Sequence, residues 1–193
     1  QTGLEQTVWP GRFEVLSKHP VFLVDGAHNP HGMTAAVESL KTIFPNQKLL
    51  LIIGVLADKD YLAMLDMILP LAWQVLCVTP DNPRALPAEE LAEAIRQWSL
   101  EPGRVAEASR CSSIGVENTD ASRCDSIGAG NSDHLSVAVS EIPTVVCQTI
   151  RQAIDKAFEL SGPDDVICAI GSLYMISEIK HNFQIRCKDE RMN

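Results

Sequence analysis

The segment V-F-L-V-D-G-A-H-N-P-H-G, residues 21–32, carries the clearest structural signal in the chain. Its first four residues predict a buried strand, and Asn29 followed by Pro30 predicts the N-cap and first position of a helix. Asp25 and His28 lie between the two elements. Ligands of open α/β sheets bind just beyond the carboxyl ends of strands, where the next helix begins. We therefore expect a binding site on this turn.

Outward from this segment, apolar runs alternate with helical periodicity along most of the chain. Strands are predicted at residues 13–16, 21–25, 49–53, 74–78, 144–147 and 166–170. Helices are predicted to begin near residues 30, 60, 87, 150 and 173, the last ending near Lys180 before a polar tail, residues 181–193, that frays. Because such alternation needs crossover connections, we expect an α/β three-layer sandwich with a mainly parallel, Rossmann-like sheet of five or six strands.

Composition narrows the possible partners and compartment. The formal net charge is −9, the sequence pI is about 5.0, and no basic cluster is present, which argues against binding to nucleic acid or an anionic membrane. The longest apolar run, residues 49–57, is too short to span a bilayer, and no secretory signal opens the chain. The six cysteines include no C-x-x-C pair and are typical of reduced thiols in a cytoplasmic protein. A disulfide between Cys111 and Cys124 is the alternative.

A tandem repeat interrupts the alternating pattern. Residues 108–120 match residues 121–133 at nine of thirteen positions, and the region is rich in Ser, Gly, Asn and Asp. Two short copies are too few for a solenoid, so residues 108–142 are interpreted as a flexible insertion without a catalytic role. Cys111, Cys124 and His134 in this region lack any recognised metal-ligand spacing.

Three predicted strand-to-helix junctions carry polar side chains: residues 25–29, 58–60 and 171–172. Taken singly, each has an ordinary explanation, since Asp25 and Ser172 can cap helices and Lys59 can be solvated. In a parallel sheet, however, the three junctions share one edge, which favours a binding crevice. Arg12, which precedes the first strand, can reach the same region.

These residue types suit an anionic, phosphorylated ligand. Arg12 and Lys59 offer charge-assisted donors, and helix N-termini offer backbone N–H groups. Asp25 suits a ribose diol, and His28 can donate to a phosphate or carboxylate oxygen. A metal site formed by Asp25, His28 and His31 is the alternative. The chain contains no G-x-x-x-x-G-K-[ST] phosphate loop, no G-x-G-x-x-G and no G-x-S-x-G, so it lacks the usual catalytic motifs of NTPases, dinucleotide enzymes and serine hydrolases.

Four motifs together resemble those of a known family. P-G-R-F-E at residues 10–14, D-G-A-H-N-P-H-G at 25–32, D-K-D at 58–60 and G-S-L-Y at 171–174 occur in that order. The chain resembles the C-terminal domain of folylpolyglutamate synthase/dihydrofolate synthase, in the Mur ligase superfamily. The resemblance covers residues 8–107 and 143–180 and therefore implies one glutamate ligase domain at residues 8–180.

The resemblance implies an ATP-dependent amide ligase. ATP with Mg²⁺ phosphorylates the carboxylate of dihydropteroate or a folate such as tetrahydrofolate, and L-glutamate attacks the acyl phosphate. By analogy with the family, ATP contacts Arg12 through its phosphates and Asp25 through its ribose, with His28 and Asn29 also in the ATP site. His28 lies near the γ-phosphate and the incoming glutamate, which Lys59 and Ser172 help to hold. His28 and Asp25 are the expected catalytic residues.

The family's phosphate loop and magnesium ligands belong to an N-terminal ATP-binding domain that this sequence does not contain. We therefore expect a folded half-enzyme that is inactive alone. A peptidoglycan-precursor ligase domain, a non-catalytic module that binds a nucleotide or an acidic amino acid, and a gene fragment interrupted by the repeat remain alternatives.

Overall fold

A computed structural model describes residues 11–101 and 141–192 of the chain. The predicted insertion at residues 108–142 lies outside the described residues except for its last two positions. Cys111, Cys124 and His134 also lie outside them, so the disulfide and metal alternatives for that region remain expectations.

Within the described residues, strands and helices alternate as the sequence predicts, and all but one of the boundaries agree closely. The strands are β1 (Glu14–Lys18), β2 (Val21–Val24), β3 (Leu49–Ile53), β4 (Ala72–Cys77), β5 (Thr144–Val146) and β6 (Val166–Ile170). The helices are α1 (Pro30–Ile43), α2 (Tyr61–Ile68), α3 (Ala88–Leu100), α4 (Ile150–Leu160) and α5 (Leu173–Met192).

The six strands form one sheet in the order β1-β2-β6-β3-β4-β5. Only β1 is antiparallel to its neighbour, and the other pairings are parallel. The prediction of a mainly parallel sheet is therefore confirmed. Because β2, β6, β3 and β4 are consecutive and parallel, the turns that follow them emerge at one edge of the sheet. The start of β1 lies at the same edge, since Glu14 pairs with Val24 at the end of β2.

Two apolar cores cover the two faces of the sheet. Alternate residues of β3 divide between them: Leu51 and Ile53 join the core under α1, α2 and α3, whereas Leu50 and Ile52 join the core under α4 and α5. All five residues of β3 are buried, which explains its unbroken apolar sequence. The result is the expected three-layer sandwich. Among the described helices, none is long and apolar enough to cross a lipid bilayer.

Helix α5 is longer than the sequence predicted. It runs for 20 residues, from Leu173 to Met192. The prediction of a helix ending near Lys180, followed by a frayed polar tail from His181, is therefore wrong for the described residues.

Contacts with α4 and β2 explain the extra length of α5. The ring of Phe183 stacks on Phe158 of α4 at a centroid distance of 5.8 Å and meets Phe22 of β2 edge-on at 5.3 Å. Arg186 lies over the Phe158 ring and donates to Asp155 of α4 at 2.9 Å. These partners are distant in sequence, so the polar composition of residues 181–192 gave no local sign of them.

Close backbone packing shapes the edge of the sheet where β3 and β6 end. Gly171, directly after β6, has a φ of +115°, in a region that side chains rarely adopt. A Cβ atom on Gly171 would lie 2.6 Å from the carbonyl oxygen of Gly54, which follows β3. Because neither backbone can withdraw cheaply, only glycine fits at position 171.

We expect Gly171→Ala to lower the free energy of unfolding by about 2 kcal/mol or more, from backbone strain and the clash with Gly54. Chemical denaturation of the purified chain measures this. Gly162→Ala is the matched control, because a Cβ there would lie an ordinary 3.6 Å from Asp165 Oδ2. Equal stability of the two variants would contradict the proposed close packing.

Ion pairs between α4 and α5 make the free energy of unfolding depend on pH in the acidic range. Burial raises the pKa of Asp155, but hydrogen bonds from Arg151 and Arg186 outweigh burial and hold the pKa below its ordinary value of 3.8. Arg151 also pairs with Asp189 of α5 at 3.0 Å. Because the folded-state pKa of Asp155 is lowered, its contribution to stability is present above pH 3.8 and is lost as the pH falls through the folded-state pKa.

We expect Asp155→Asn to lower stability at pH 7 and to weaken the loss of stability on acidification below about pH 4. The measurement is the free energy of unfolding as a function of pH. Asp164→Asn, on the exposed turn before β6, removes one carboxylate without touching either arginine and should keep the wild-type stability at pH 7. An unchanged acid slope in Asp155→Asn would refute the linkage.

Candidate functional site

Four turns meet at the carboxyl edge of the sheet. The turn after β2 carries Asp25 and His28, and the turn after β6 carries Ser172. The turn after β3 carries Lys59, and the turn after β4 carries Arg84. The sequence predicted the first three junctions on one edge, and the strand order places them there.

Asp25 is buried at the centre of this edge, with 7% of its surface exposed. One carboxylate oxygen accepts the N–H of Phe13 at 2.8 Å, and the other accepts the N–H of Ala27 at 2.8 Å. The side chain therefore joins the turn before β1 to the turn after β2. Any ligand contact must use the remaining lone pairs of these two oxygens.

Arg12 lies in the turn that Asp25 holds. Its neighbour Phe13 donates to Asp25, and the carbonyl oxygen of Gly11 accepts the N–H of Gly26 at 2.7 Å. The Arg12 side chain itself is exposed. The backbone of this turn thus places Arg12 at the carboxyl edge of the sheet, next to the turn that carries Asp25.

His28 has a defined orientation. Its Nδ1 lies 2.8 Å from the carbonyl oxygen of Gly26. Because a carbonyl oxygen only accepts, Nδ1 carries the proton in this bond, and the neutral ring offers Nε2 as an acceptor. Within the part of the chain that the structure describes, the second ring nitrogen, Nε2, makes no hydrogen bond and is available to a ligand.

Asn29 and His31 have simpler surroundings. The side chain of Asn29 caps α1, accepting the N–H of Gly32 at 2.8 Å, which confirms the predicted N-cap. His31 is exposed on the first turn of α1. Within residues 11–101 and 141–192, no three His, Cys, Asp or Glu side chains are placed to hold a metal ion. The alternative of a metal site from Asp25, His28 and His31 is therefore not supported.

A cleft of about 410 Å³ opens between these turns, and we call it the rim cleft. Residues from all four strand-to-helix turns and from the start of α5 line it: His28, Leu56, Lys59, Arg84, Ser172, Leu173 and Tyr174. Three of the predicted residues, His28, Lys59 and Ser172, are thus brought together. Asp25, Arg12 and Asn29 lie outside the cleft lining.

Arg84 is the site residue that sequence reasoning missed. Its Nη1 donates to Asp58 at 2.8 Å, and its Nη2 lies 3.5 Å from the Tyr174 hydroxyl. Backbone bonds fix its position, because the Arg84 carbonyl accepts the N–H of Ala57 at 2.8 Å. A signal was present: the turn at residues 79–84 is a fourth strand-to-helix junction and ends in an arginine.

Electrostatically, the rim cleft favours an anion. Lys59 and Arg84 share one carboxylate, that of Asp58, at 3.7 and 2.8 Å. The residues that line the cleft include these two cations and no carboxylate, and His28 adds a hydrogen-bonding nitrogen. Ser172 is only 1% exposed, and its hydroxyl oxygen accepts the N–H of Tyr174 at 3.3 Å, which leaves its O–H as a donor. Such a set of donors suits a carboxylate or a phosphate.

Comparison with known proteins agrees with this architecture. Over 99 residues the chain is 42% identical to folylpolyglutamate synthase of Lacticaseibacillus casei, covering 51% of this chain and 23% of that protein. Over 109 residues it is 33% identical to dihydrofolate synthase/folylpolyglutamate synthase of Bacillus subtilis, covering 54% of this chain and 25% of that protein. The chain thus spans about a quarter of the length of these relatives.

A solved structure gives the same fold. It is the bifunctional folylpolyglutamate synthase/dihydrofolate synthase of Yersinia pestis complexed with AMPPNP and Mn ion, with a TM-score of 0.65 and 21% identity over 94% of this chain and 33% of that one. The family described as "Mur ligase, glutamate ligase domain" matches residues 11–123, more than half of the sequence. This match, together with the mainly parallel sheet of the chain and the turns that meet at one edge of that sheet, shows that the chain belongs to the Mur ligase family, as a glutamate ligase domain.

Proposed function

We propose that this chain is the C-terminal domain of an ATP-dependent ligase that adds L-glutamate to dihydropteroate, to folates such as tetrahydrofolate, or to both. The observation that carries the proposal is the rim cleft, where Lys59, Arg84 and His28 meet at the carboxyl edge of a parallel sheet. The relatives named above support the choice of folate over a peptidoglycan precursor. The absence of a phosphate loop from the sequence supports a partner domain that binds ATP.

The rim cleft is the proposed site for the incoming glutamate. Asp58 holds the Arg84 guanidinium through Nη1, and Nη2 makes only a long contact of 3.5 Å with the Tyr174 hydroxyl, which a ligand carboxylate can replace. Lys59, 3.7 Å from the same Asp58, supplies the second cation. Ser172 can donate its hydroxyl to a carboxylate oxygen. Glutamate carries two carboxylates, which the two cations can bind separately.

His28 is proposed to act where glutamate meets the activated carboxyl group. The hydrogen bond from Nδ1–H to the carbonyl oxygen of Gly26 fixes the orientation of the ring, so Nε2 is the nitrogen that is proposed to contact the reacting groups. As an acceptor, Nε2 can take a proton from the attacking ammonium group, since only a neutral amine is nucleophilic. In the protonated ring, Nε2 can donate to a phosphate oxygen. Positioning by such groups supplies most of the rate in phosphoryl and acyl transfer.

The proposed ATP contacts lie beside the cleft. Arg12 is assigned to the phosphates, Asp25 to the ribose, and Asn29 to the same site. Since Asp25 already accepts two backbone N–H groups, its removal disturbs the turns as well as any ribose contact. The described residues contain no three-ligand group for Mg²⁺, so we assign the magnesium ligands to the N-terminal P-loop domain and to ATP. Magnesium there neutralises charge on the phosphates.

The buried free thiols favour a reducing compartment, and we propose the cytoplasm. Cys77 and Cys168 are buried in the sheet, and burial raises the pKa of the Cys77 thiol to about 12. Such thiols behave as apolar core groups and resist oxidation.

We expect the chain alone to give no turnover with ATP, L-glutamate and dihydropteroate or tetrahydrofolate. Joined to the N-terminal domain of its own full-length protein, it should be active, and His28→Ala should lower kcat by roughly 10²-fold or more. Asp25→Ala should lose activity together with stability. Clear ligase activity from the chain alone, or near-wild-type rates in both variants, would reject the proposal. Comparison with UDP-linked muramyl acceptors tests the peptidoglycan alternative.

We also expect Lys59→Met and Arg84→Met to raise the KM for glutamate about tenfold or more, while the KM for ATP changes much less. The reason is the loss of one charge-assisted bond to a carboxylate in each variant. Steady-state kinetics of the full-length enzyme measure both constants. Lys41→Met, on the exposed face of α1, is the matched control and should leave the KM for glutamate and the KM for ATP unchanged. Equal changes in both KM values would place glutamate elsewhere.

A further inference from the structure

We propose that Glu14 and Lys180 are positioning residues for Arg12. Their ion pair holds the turn at residues 11–13 in the one conformation that presents the Arg12 guanidinium at the carboxyl edge of the sheet. This role rests on the proposed contact between Arg12 and the phosphates of ATP.

The turn at residues 11–13 has an unusual backbone conformation. Gly11 has a φ of +72° and Phe13 a φ of +45°, both in the left-handed region. A bulky residue such as Phe13 rarely adopts a positive φ, and it does so where surrounding contacts impose it. Arg12 lies between these two residues. Its exposed side chain is therefore placed by the backbone of the turn.

Two carboxylates restrain the two ends of the turn. Asp25 accepts the N–H of Phe13 at 2.8 Å, and Glu14 Oε2 accepts the N–H of Gly11 at 2.7 Å. Asp25 belongs to the proposed ATP site. Glu14 lies one residue beyond the turn, at the start of β1, and has no place in the binding scheme. The hydrogen bond from Gly11 therefore indicates that Glu14 restrains the turn and does not itself bind the ligand.

Helix α5 supports Glu14 from the other side. Lys180 Nζ lies 2.7 Å from Glu14 Oε1, so the two carboxylate oxygens bind α5 and the turn respectively. The side-chain bond from Lys180, followed by the backbone N–H of Gly11, holds the pKa of Glu14 below its usual value. One helical turn before Lys180, Ile176 packs against Gly11, where a Cβ would lie 2.9 Å from Ile176 Cγ2. Residues 176 and 180 thus form one supporting face of α5.

The test is a double-variant comparison in the full-length enzyme. Glu14→Ala should raise the KM for ATP about tenfold, in the same direction as Arg12→Ala. The double variant should be no worse than Arg12→Ala alone, because Glu14 acts only through Arg12. A general structural role would instead add its own loss to that of Arg12→Ala.

Variants of the partner extend the test. Lys180→Met should reproduce the effect of Glu14→Ala, whereas Lys180→Arg should restore most of the ATP affinity. Lys18→Met on β1 and Glu38→Gln on α1 remove exposed charges and should leave the KM for ATP unchanged. If Glu14→Ala fails to fold, Glu14→Gln, which retains one acceptor oxygen, takes its place with a smaller effect in the same direction.

Amide hydrogen exchange gives a readout independent of turnover. The N–H of Gly11 should exchange faster in Glu14→Ala and in Lys180→Met, while amides of β3 keep their protection. Wild-type exchange at Gly11, or additive losses in the double variant, would overturn the positioning role while leaving the Arg12 contact intact. If Arg12→Ala leaves the KM for ATP unchanged, the phosphate contact fails, and the positioning role fails with it.

Discussion

The carboxylate of Asp25 accepts hydrogen bonds from two backbone N–H groups, one on the turn before β1 and one on the turn after β2. Asp25 is buried, and a buried carboxylate without donors is costly, so the two hydrogen bonds offset the loss of its contact with water. The fold and the candidate site therefore depend on the same side chain. Holding the two turns against each other keeps Arg12 and His28 at one edge of the sheet.

Parallel strand order does the rest of the assembly. Since β2, β6, β3 and β4 are neighbours and run in one direction, their following turns meet without long loops. Close contact between Gly54 and Gly171 brings two of these turns within backbone distance. Asp58 then holds Arg84 beside Lys59, which concentrates positive charge in the rim cleft. The chain thus offers recognition groups for an anion, while the phosphate loop typical of an ATP-binding domain is absent from its sequence.

Much of the architecture was predictable because its signals are local. The continuous apolar run of β3, the Asn29-Pro30 start of α1 and the helical spacing in α4 each depend on residues close in sequence. The end of α5 was not predictable in the same way. Its charged residues resemble a solvated tail until Asp155 and Arg151 of α4 are seen to pair with Arg186 and Asp189.

The amino-acid sequence was sufficient to determine the class of sheet, the three polar junctions and the family resemblance, because motifs and periodicity depend only on residues that are close together along the chain. The partners of those polar groups were settled by the folded chain. Arg84 joins Lys59 because β4 lies next to β3, and Lys180 reaches Glu14 across 166 positions because α5 packs behind β1. Hydrogen bonds and ion pairs act over a few ångströms of space, and separation along the chain does not encode that distance.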